Sequence, residues 1–268
     1  MTYQAIPYWH VDAFASRTFG GNQAAMMLLE EWLTDDVLLA IAAENMFAET
    51  AFLVADTSGE SDYELRWFTP ELEVALCGHA TLASGHILLS RDDSLDSVSF
   101  RTRKSGVLEV RRAAAGYELA LPVIEVTGEA EADLLRGLGP APLETKYDPR
   151  GYVIALYPDE AKVRALAPEM ELLARHGDTM FICTAPGEAT DIVSRVFVPG
   201  AGIPEDSVTG SAHAALTFYW AARLGRDSFT AHQASARGGD LNCTLHGDRA
   251  ILGGDCVTAV EGSFYLAG

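Results

Sequence analysis

Apolar positions in this chain fall into short blocks of five or six and into longer runs at helical spacing, and the alternation of the two predicts its elements. The blocks at 24–29, 50–55, 152–157 and 179–184 are rich in Ala, Leu, Val, Ile and Phe and bounded by polar or turn residues, which predicts short, well-buried strands. Between the first two, Thr34-Asp35-Asp36 supplies an N-cap group, and Val37, Leu38, Ile41 and Ala42 follow at amphipathic spacing. An amphipathic helix is expected after 157 as well. Two further stretches, 80–89 and 212–223, are apolar on nearly every side; the second carries Ala214, Ala215, Leu216, Phe218, Tyr219 and Trp220. Helices of that kind are buried, so each predicts a central helix with strands wrapped around it. A strand is expected at 119–126, and short strands with turns at Gly247-Asp248 and Gly253-Gly254-Asp255 fill the tail.

The same order of elements is written twice. At one constant offset Glu49-Thr50-Ala51-Phe52-Leu53-Val54 lies over Asp178-Thr179-Met180-Phe181-Ile182-Cys183, and Arg66-Trp67-Phe68-Thr69-Pro70 over Arg195-Val196-Phe197-Val198-Pro199. After a short slip, Cys77-Gly78-His79-Ala80 matches Thr209-Gly210-Ser211-Ala212. The pattern predicts an α+β protein of two pseudo-symmetric halves, 1–115 and 116–268, with the C-terminal strand free to cross back to the first half.

The repeated junctions carry the candidate chemistry. Gly78 and Gly210 each stand where a loop opens a buried helix, and unpaired N–H groups with the helix dipole make such an end an anion site; the bland alternative is two glycines that permit tight turns. Two such ends facing one cleft would suit a substrate carboxylate or a developing enolate oxygen. Glu49, between Phe47-Ala48 and Ala51-Phe52, is a partly desolvated carboxyl at a strand entry, suited to take and then return a proton; the alternative is a half-exposed acid at a strand end. Asp178 occupies the matching place as a structural relic. Asp206 and Ser211 flank the second helix start, where a capping or loop role is the alternative for Asp206. His79 lies at a helix N-terminus, where the dipole is expected to keep the imidazole neutral.

Composition narrows the partners. A formal charge of -19 over 268 residues argues against nucleic acid, and the basic stretch from Arg101 to Arg112 reads as a solvated strand pair. No apolar run is long enough for a membrane helix, and the start lacks the basic and apolar regions of a signal peptide. Cys77, Cys183, Cys243 and Cys256 are irregularly spaced without a C-x-x-C pair, which suits reduced thiols in a cytoplasm. No G-x-S-x-G, H-E-x-x-H or G-x-G-x-x-G signature is present, so neither a metal nor a dinucleotide is expected. Ser211 and His213, two apart on a helix, do not face each other as a nucleophile–base pair.

Several stretches together resemble one family: Val11-Asp12-Ala13-Phe14 leading to Gly21-Asn22-Gln23-Ala24, Glu49-Thr50-Ala51-Phe52, Glu73-Val74-Ala75-Leu76-Cys77-Gly78-His79-Ala80, Gly202-Ile203-Pro204-Glu205-Asp206-Ser207-Val208-Thr209-Gly210-Ser211, and Gln233-Ala234-Ser235-Ala236-Arg237-Gly238-Gly239. They are similar to the PhzF-like (phenazine biosynthesis) isomerases, whose fold is that of diaminopimelate epimerase. The resemblance implies a cofactor-free, metal-free enzyme, tending to a homodimer, in which Glu49 shuttles a proton. His79, Asp206 and Ser211 would surround a small carboxylate substrate, with Asn22, Gly78, Thr209 and Gly210 contributing to its binding. Ser207 replaces the proline usual in that segment. Against the epimerase branch, the first cysteine position is met by Cys77 and the second falls on Thr209, so a two-thiol mechanism is excluded and Cys77 is read as a small packed residue. A cytoplasmic isomerase acting on a conjugated or cyclic acid is the expectation. A racemase or epimerase of a small acid, and a binding protein without turnover, are the alternatives.

Overall fold

A computed structural model describes residues 3–267, which form two compact units: 3–120 with 253–267, and 121–252. Each is built around one apolar helix.

In the first unit, β1 (Tyr3–Ala13) pairs antiparallel with β2 (Asn22–Leu29). Helix α1 (Asp35–Asn45) then leads to β3 (Glu49–Ala55), which lies parallel to β2 with Ala24 opposite Glu49. β4 (Tyr63–Phe68) returns antiparallel to β3, and the two-residue β5 (Glu73–Val74) pairs with its end. Helix α2 (Gly78–Ser90) crosses to β6 (Ser97–Thr102), parallel to β4, and β7 (Val107–Arg112) and β8 (Tyr117–Pro122) follow as antiparallel neighbours. Pairing of Tyr117 to Leu119 with β7 carries this unit past residue 115. The C-terminal strand β17 (Cys256–Ala267) completes it along the whole of β1.

Ten of the thirteen residues of α2 are buried, and the helix touches β1, β2, β3, β6, β7 and β17. The strands therefore enclose it, and the apolar character of 80–89 has a direct cause. Gly85 allows the closest approach: a Cβ there would stand 2.3 Å from Val110 Cγ1. α1 lies on the other face, where Leu38, Ile41 and Ala42 join Ile6, Met27, Phe52 and Phe68 in a second cluster.

The second unit repeats the order. β9 (Glu144–Asp148) pairs antiparallel with β10 (Tyr152–Leu156), which lies parallel to β11 (Met180–Pro186). β12 (Ile192–Val198) returns antiparallel to β11, with the short β13 (Ile203–Asp206) on its end. The central helix, here α5 (Gly210–Leu224), leads to β14 (Ser228–Gln233), parallel to β12, and β15 (Gly239–His246). β16 (Arg249–Gly254) ends the series. The connection from β10 to β11 differs from expectation. It holds two short helices, α3 (Glu160–Arg164) and α4 (Met170–Leu173), because Pro168 cannot continue a helix and biases Ala167 away from helical angles. The strand expected at 119–126 stops at Pro122, and β17, at 12 residues, is not a short strand.

One device marks both units. Arg66 Nε donates to Glu73 Oε1 at 2.7 Å and the guanidinium lies 4.9 Å over Phe68. Arg195 Nε donates to Glu205 Oε1 at 2.7 Å and lies 4.9 Å over Phe197. The strand registers differ, however: Phe52 faces Arg66, whereas Cys183, not Phe181, faces Arg195. Such a two-residue shift leaves every side chain on its original face. Among the described residues no helix is long and apolar enough to cross a membrane.

Candidate active site

In the first unit three chain segments deliver side chains to one point. Gly21, at φ +60°, turns the chain into β2 where a Cβ would meet Ala13 O at 2.1 Å, and so places Asn22 at the strand start. α1 ends in a left-handed Met46 whose N–H reaches Ala42 O, and Asn45 Nδ2 donates to Thr50 Oγ1 at 3.1 Å; this fixes the entry of β3 at Glu49. Cys77 is the N-cap of α2 without a side-chain cap bond, and Gly78 and His79 open the helix.

The His79 ring is the centre of this cluster. Its Nε2 stands 3.1 Å from Glu49 Oε2, its Nδ1 stands 3.3 Å from Asn22 Nδ2, and Cys77 Sγ lies 3.5 Å from Nδ1 and 3.9 Å from Nε2. Asn22, Cys77 and His79 are buried, and the Glu49 side chain is 13% exposed. With the Asn22 amide nitrogen toward Nδ1, the ring carries its proton on Nε2, toward Glu49; a proton on Nδ1 is matched by the amide oxygen after a flip.

The expectation of a neutral His79 is corrected. Burial pulls its pKa down, but Cys77 and Glu49 outweigh burial and raise it well above the ordinary 6.5. Burial, chiefly, with Glu49 close by, pushes the Cys77 thiol up to about 11. The two acidic groups beside the ring, Cys77 and then Glu49, prevail over the helix dipole that the sequence points to. The reading of Cys77 as mere packing is also too narrow, because its sulfur touches the His79 ring. The ligand-type atoms of Glu49, Cys77 and His79 lie within 4.8 Å of one another.

In the second unit, Asp206, Thr209, Gly210 and Ser211 share the turn from β13 into α5. Thr209 Oγ1 donates to Asp206 Oδ2 at 2.6 Å. Fully buried Gln233 staples the turn: its Oε1 accepts from Thr209 N at 2.8 Å, while its Nε2 donates to Asp206 O at 2.7 Å. His213 Nδ1 donates to Thr209 O at 2.8 Å, and Ser235 Oγ to Ser207 O at 2.8 Å, so the turn is tied down with serine in place of proline. Ser211 Oγ has Met180 Sδ 3.9 Å away. Asp178, the counterpart of Glu49, is exposed. Sequence reasoning missed the roles of Gln233 and His213. Gln233 stood in a family-like stretch, and His213 was weighed only as a partner for Ser211.

Fold and cluster together define an epimerase-like α+β protein with a carboxylate–imidazole pair at a helix start. The model of the phenazine biosynthesis-like protein family (PhzC/PhzF) matches residues 11–262. An uncharacterized isomerase of Pseudomonas aeruginosa is 42% identical over 266 residues, covering 98% of this chain and 99% of the relative. A PhzF-family crystal structure from Enterococcus faecalis superposes with a TM-score of 0.89 at 39% identity, covering 98% of this chain and 100% of that one. A hydroxyproline epimerase from Agrobacterium vitis, at 13% identity and a TM-score of 0.63 over 98% of this chain and 93% of its own, shares the fold. The chain belongs to the phenazine biosynthesis-like family and is an isomerase of that family, its reaction unspecified.

Proposed function

We propose that this isomerase moves a proton on a small carboxylated substrate, with Glu49 as the base and His79 as its partner. The observation that carries the reading is the 3.1 Å approach of Glu49 Oε2 to His79 Nε2 beside the uncapped start of α2. Glu49 takes a proton from a carbon acidified by conjugation; the raised His79 supplies positive charge to the electron-rich intermediate, and Glu49 returns the proton nearby. A carboxylate-binding role is assigned to the backbone N–H groups at each helix start: Gly78 with Asn22 in the first unit, and Gly210 with Asp206, Thr209 and Ser211 in the second. Neither a metal nor an organic cofactor takes part. Metabolites that raise the melting temperature would be incubated with enzyme in deuterated water and followed by NMR. Glu49→Gln, which keeps shape but cannot accept the proton, is expected to bind ligand yet lose exchange by roughly a hundredfold to ten-thousandfold. Asp178→Asn serves as the control and should keep it. Unchanged exchange in Glu49→Gln would overturn the assignment. Exchange that inverts a stereocentre, without migration of a double bond, would instead support an epimerase.

A further inference from the structure

One buried carboxyl has no part in the chemistry above. Asp12 on β1 is 2% exposed. The strand registers set Ala13 opposite Asn22, Asp12 opposite Gln23, and Ala24 opposite Glu49. Side chains alternate along a strand, so Asn22 and Glu49 point to the His79 side of the sheet and Asp12 points to the other. There its Oδ2 accepts from Phe19 N at 2.9 Å. Its Oδ1 lies 3.8 Å from His10 Nε2, an atom 3.2 Å from Gln23 Nε2, and the His10 ring lies 4.3 Å from that of Phe47.

The bond from Phe19 matters because of where the chain goes next. Residues 14–21 join β1 to β2, and Phe14, Phe19 and Gly21 stand at φ +57°, +72° and +60°. A bulky residue is strained at such angles and stays there only where its surroundings hold it. Packing holds Phe14, which is fully buried, but Phe19 is 83% exposed. The grip on the turn at Phe19 is therefore the Asp12 carboxyl. Two residues on, Gly21 turns the chain into β2 and sets Asn22, whose amide nitrogen meets His79 Nδ1 at 3.3 Å.

We propose that Asp12 is a positioning residue of the site: by accepting the Phe19 N–H it fixes the 14–21 turn and, through it, Asn22 against the His79 ring. Its effect on turnover rests on the acid–base reading above; its effect on the ring does not. The requirement is an acceptor oxygen, so asparagine can replace Asp12 and valine cannot.

The test follows the ring nitrogens of His79 by NMR in the full chain labelled with 15N-histidine, without substrate and at neutral pH, His79→Gln assigning the signals. Valine fills the space and suits a strand but offers Phe19 no acceptor. The His79 signals should shift in Asp12→Val as they do in Asn22→Ala, and stay in place in Asp12→Asn. They should shift no further in the Asp12→Val/Asn22→Ala double variant, because the two residues act in series. Unmoved His86 signals, from the same helix where Nε2 meets Thr258 Oγ1 at 2.9 Å, show that the unit is folded. Should Asp12→Val not fold, Asp12→Ser, whose hydroxyl stops a bond short, takes its place. An unmoved His79 in Asp12→Val, an equal shift in Asp12→Asn, or additive shifts in the double variant would overturn the proposal. Deuterium exchange into the metabolite selected by the melting-temperature screen should fall in Asp12→Val by roughly ten- to a hundredfold, mainly in kcat. Shifted His79 signals with unchanged exchange would keep Asp12 as the anchor and overturn the acid–base role of the pair.

Discussion

Acidification from about pH 7 to about pH 5 should weaken the second unit by about 2 kcal/mol through His213 alone. This ring is fully buried on α5, where Nδ1 donates to Thr209 O at 2.8 Å and Nε2 faces Ser194 Oγ at 3.4 Å. Burial, chiefly, pushes its pKa down to about 4, the Thr209 carbonyl pulling the other way and His232 adding slightly to the fall. In the unfolded chain an imidazole titrates near 6.5. As the pH falls, the unfolded chain binds its proton first, so stability is fully present above about 6.5 and is lost as pH drops toward about 4. The whole window is worth about 3 kcal/mol at roughly 1.4 kcal/mol per unit, and about 2 of these are gone by pH 5, before most carboxylates titrate. Urea unfolding of wild type and His213→Gln at both pH values reads the difference, and the variant control removes every other titrating group, including His79, whose raised pKa works with the opposite sign. NMR of the imidazole C–H gives the titration directly. Equal acid losses in the two proteins, or a His213 ring titrating near 6.5, would refute the reasoning.

The other predictions are simpler to state. Exhaustive chelation should leave turnover unchanged; loss that added metal restores would show a catalytic metal. Asp206→Asn keeps an acceptor for Thr209 Oγ1, so thermal stability should hold while turnover falls by about a hundredfold through misplaced substrate; unchanged turnover would remove Asp206 from the site. Arg195→Met strips Glu205 of its partner and the carbonyls of Val163 and Leu166 of a donor. It should cost about 2–4 kcal/mol in urea unfolding, and a loss below about 1 kcal/mol would show the pair to be a solvated one.

What was legible in the sequence follows from the range of the forces involved. The two central helices announce themselves because burial on every side leaves no polar stripe, and the parallel strand pairs because both faces are covered. Local breakers were underweighted: Pro168 divides the helix after β10, and Pro122 ends β8. The length of β17 could not be read locally, since its partner is β1 at the far end of the chain. At the site, Asn22, Glu49 and His79 stood out as residue types in suggestive places. The charge preference of His79 did not, because Glu49, which acts on it together with Cys77, arrives from a different segment. Gln233 was hidden for the same reason: its three bonds are made to residues far away in sequence.

The repeat has kept its frame and let its chemistry diverge, and the difference bears on the reaction. Arg66 with Glu73, and Arg195 with Glu205, are retained in matching geometry; losing either partner would strand a largely buried charge. No such penalty guards the helix starts, where Cys77 and His79 answer to Thr209 and Ser211, or the strand entries, where buried-edge Glu49 answers to exposed Asp178. Inverting a stereocentre by the two-base route needs a base on each face of the carbon. The second unit offers none at the matching position, because the Thr209 hydroxyl is a poor base and donates its proton to Asp206 at 2.6 Å. On the proposed reading, a proton taken by Glu49 returns from the side it left. On that reading the chemistry relocates a double bond along one face of a conjugated acid, and the carboxylate–imidazole pair of the first unit serves both removal and return of the proton.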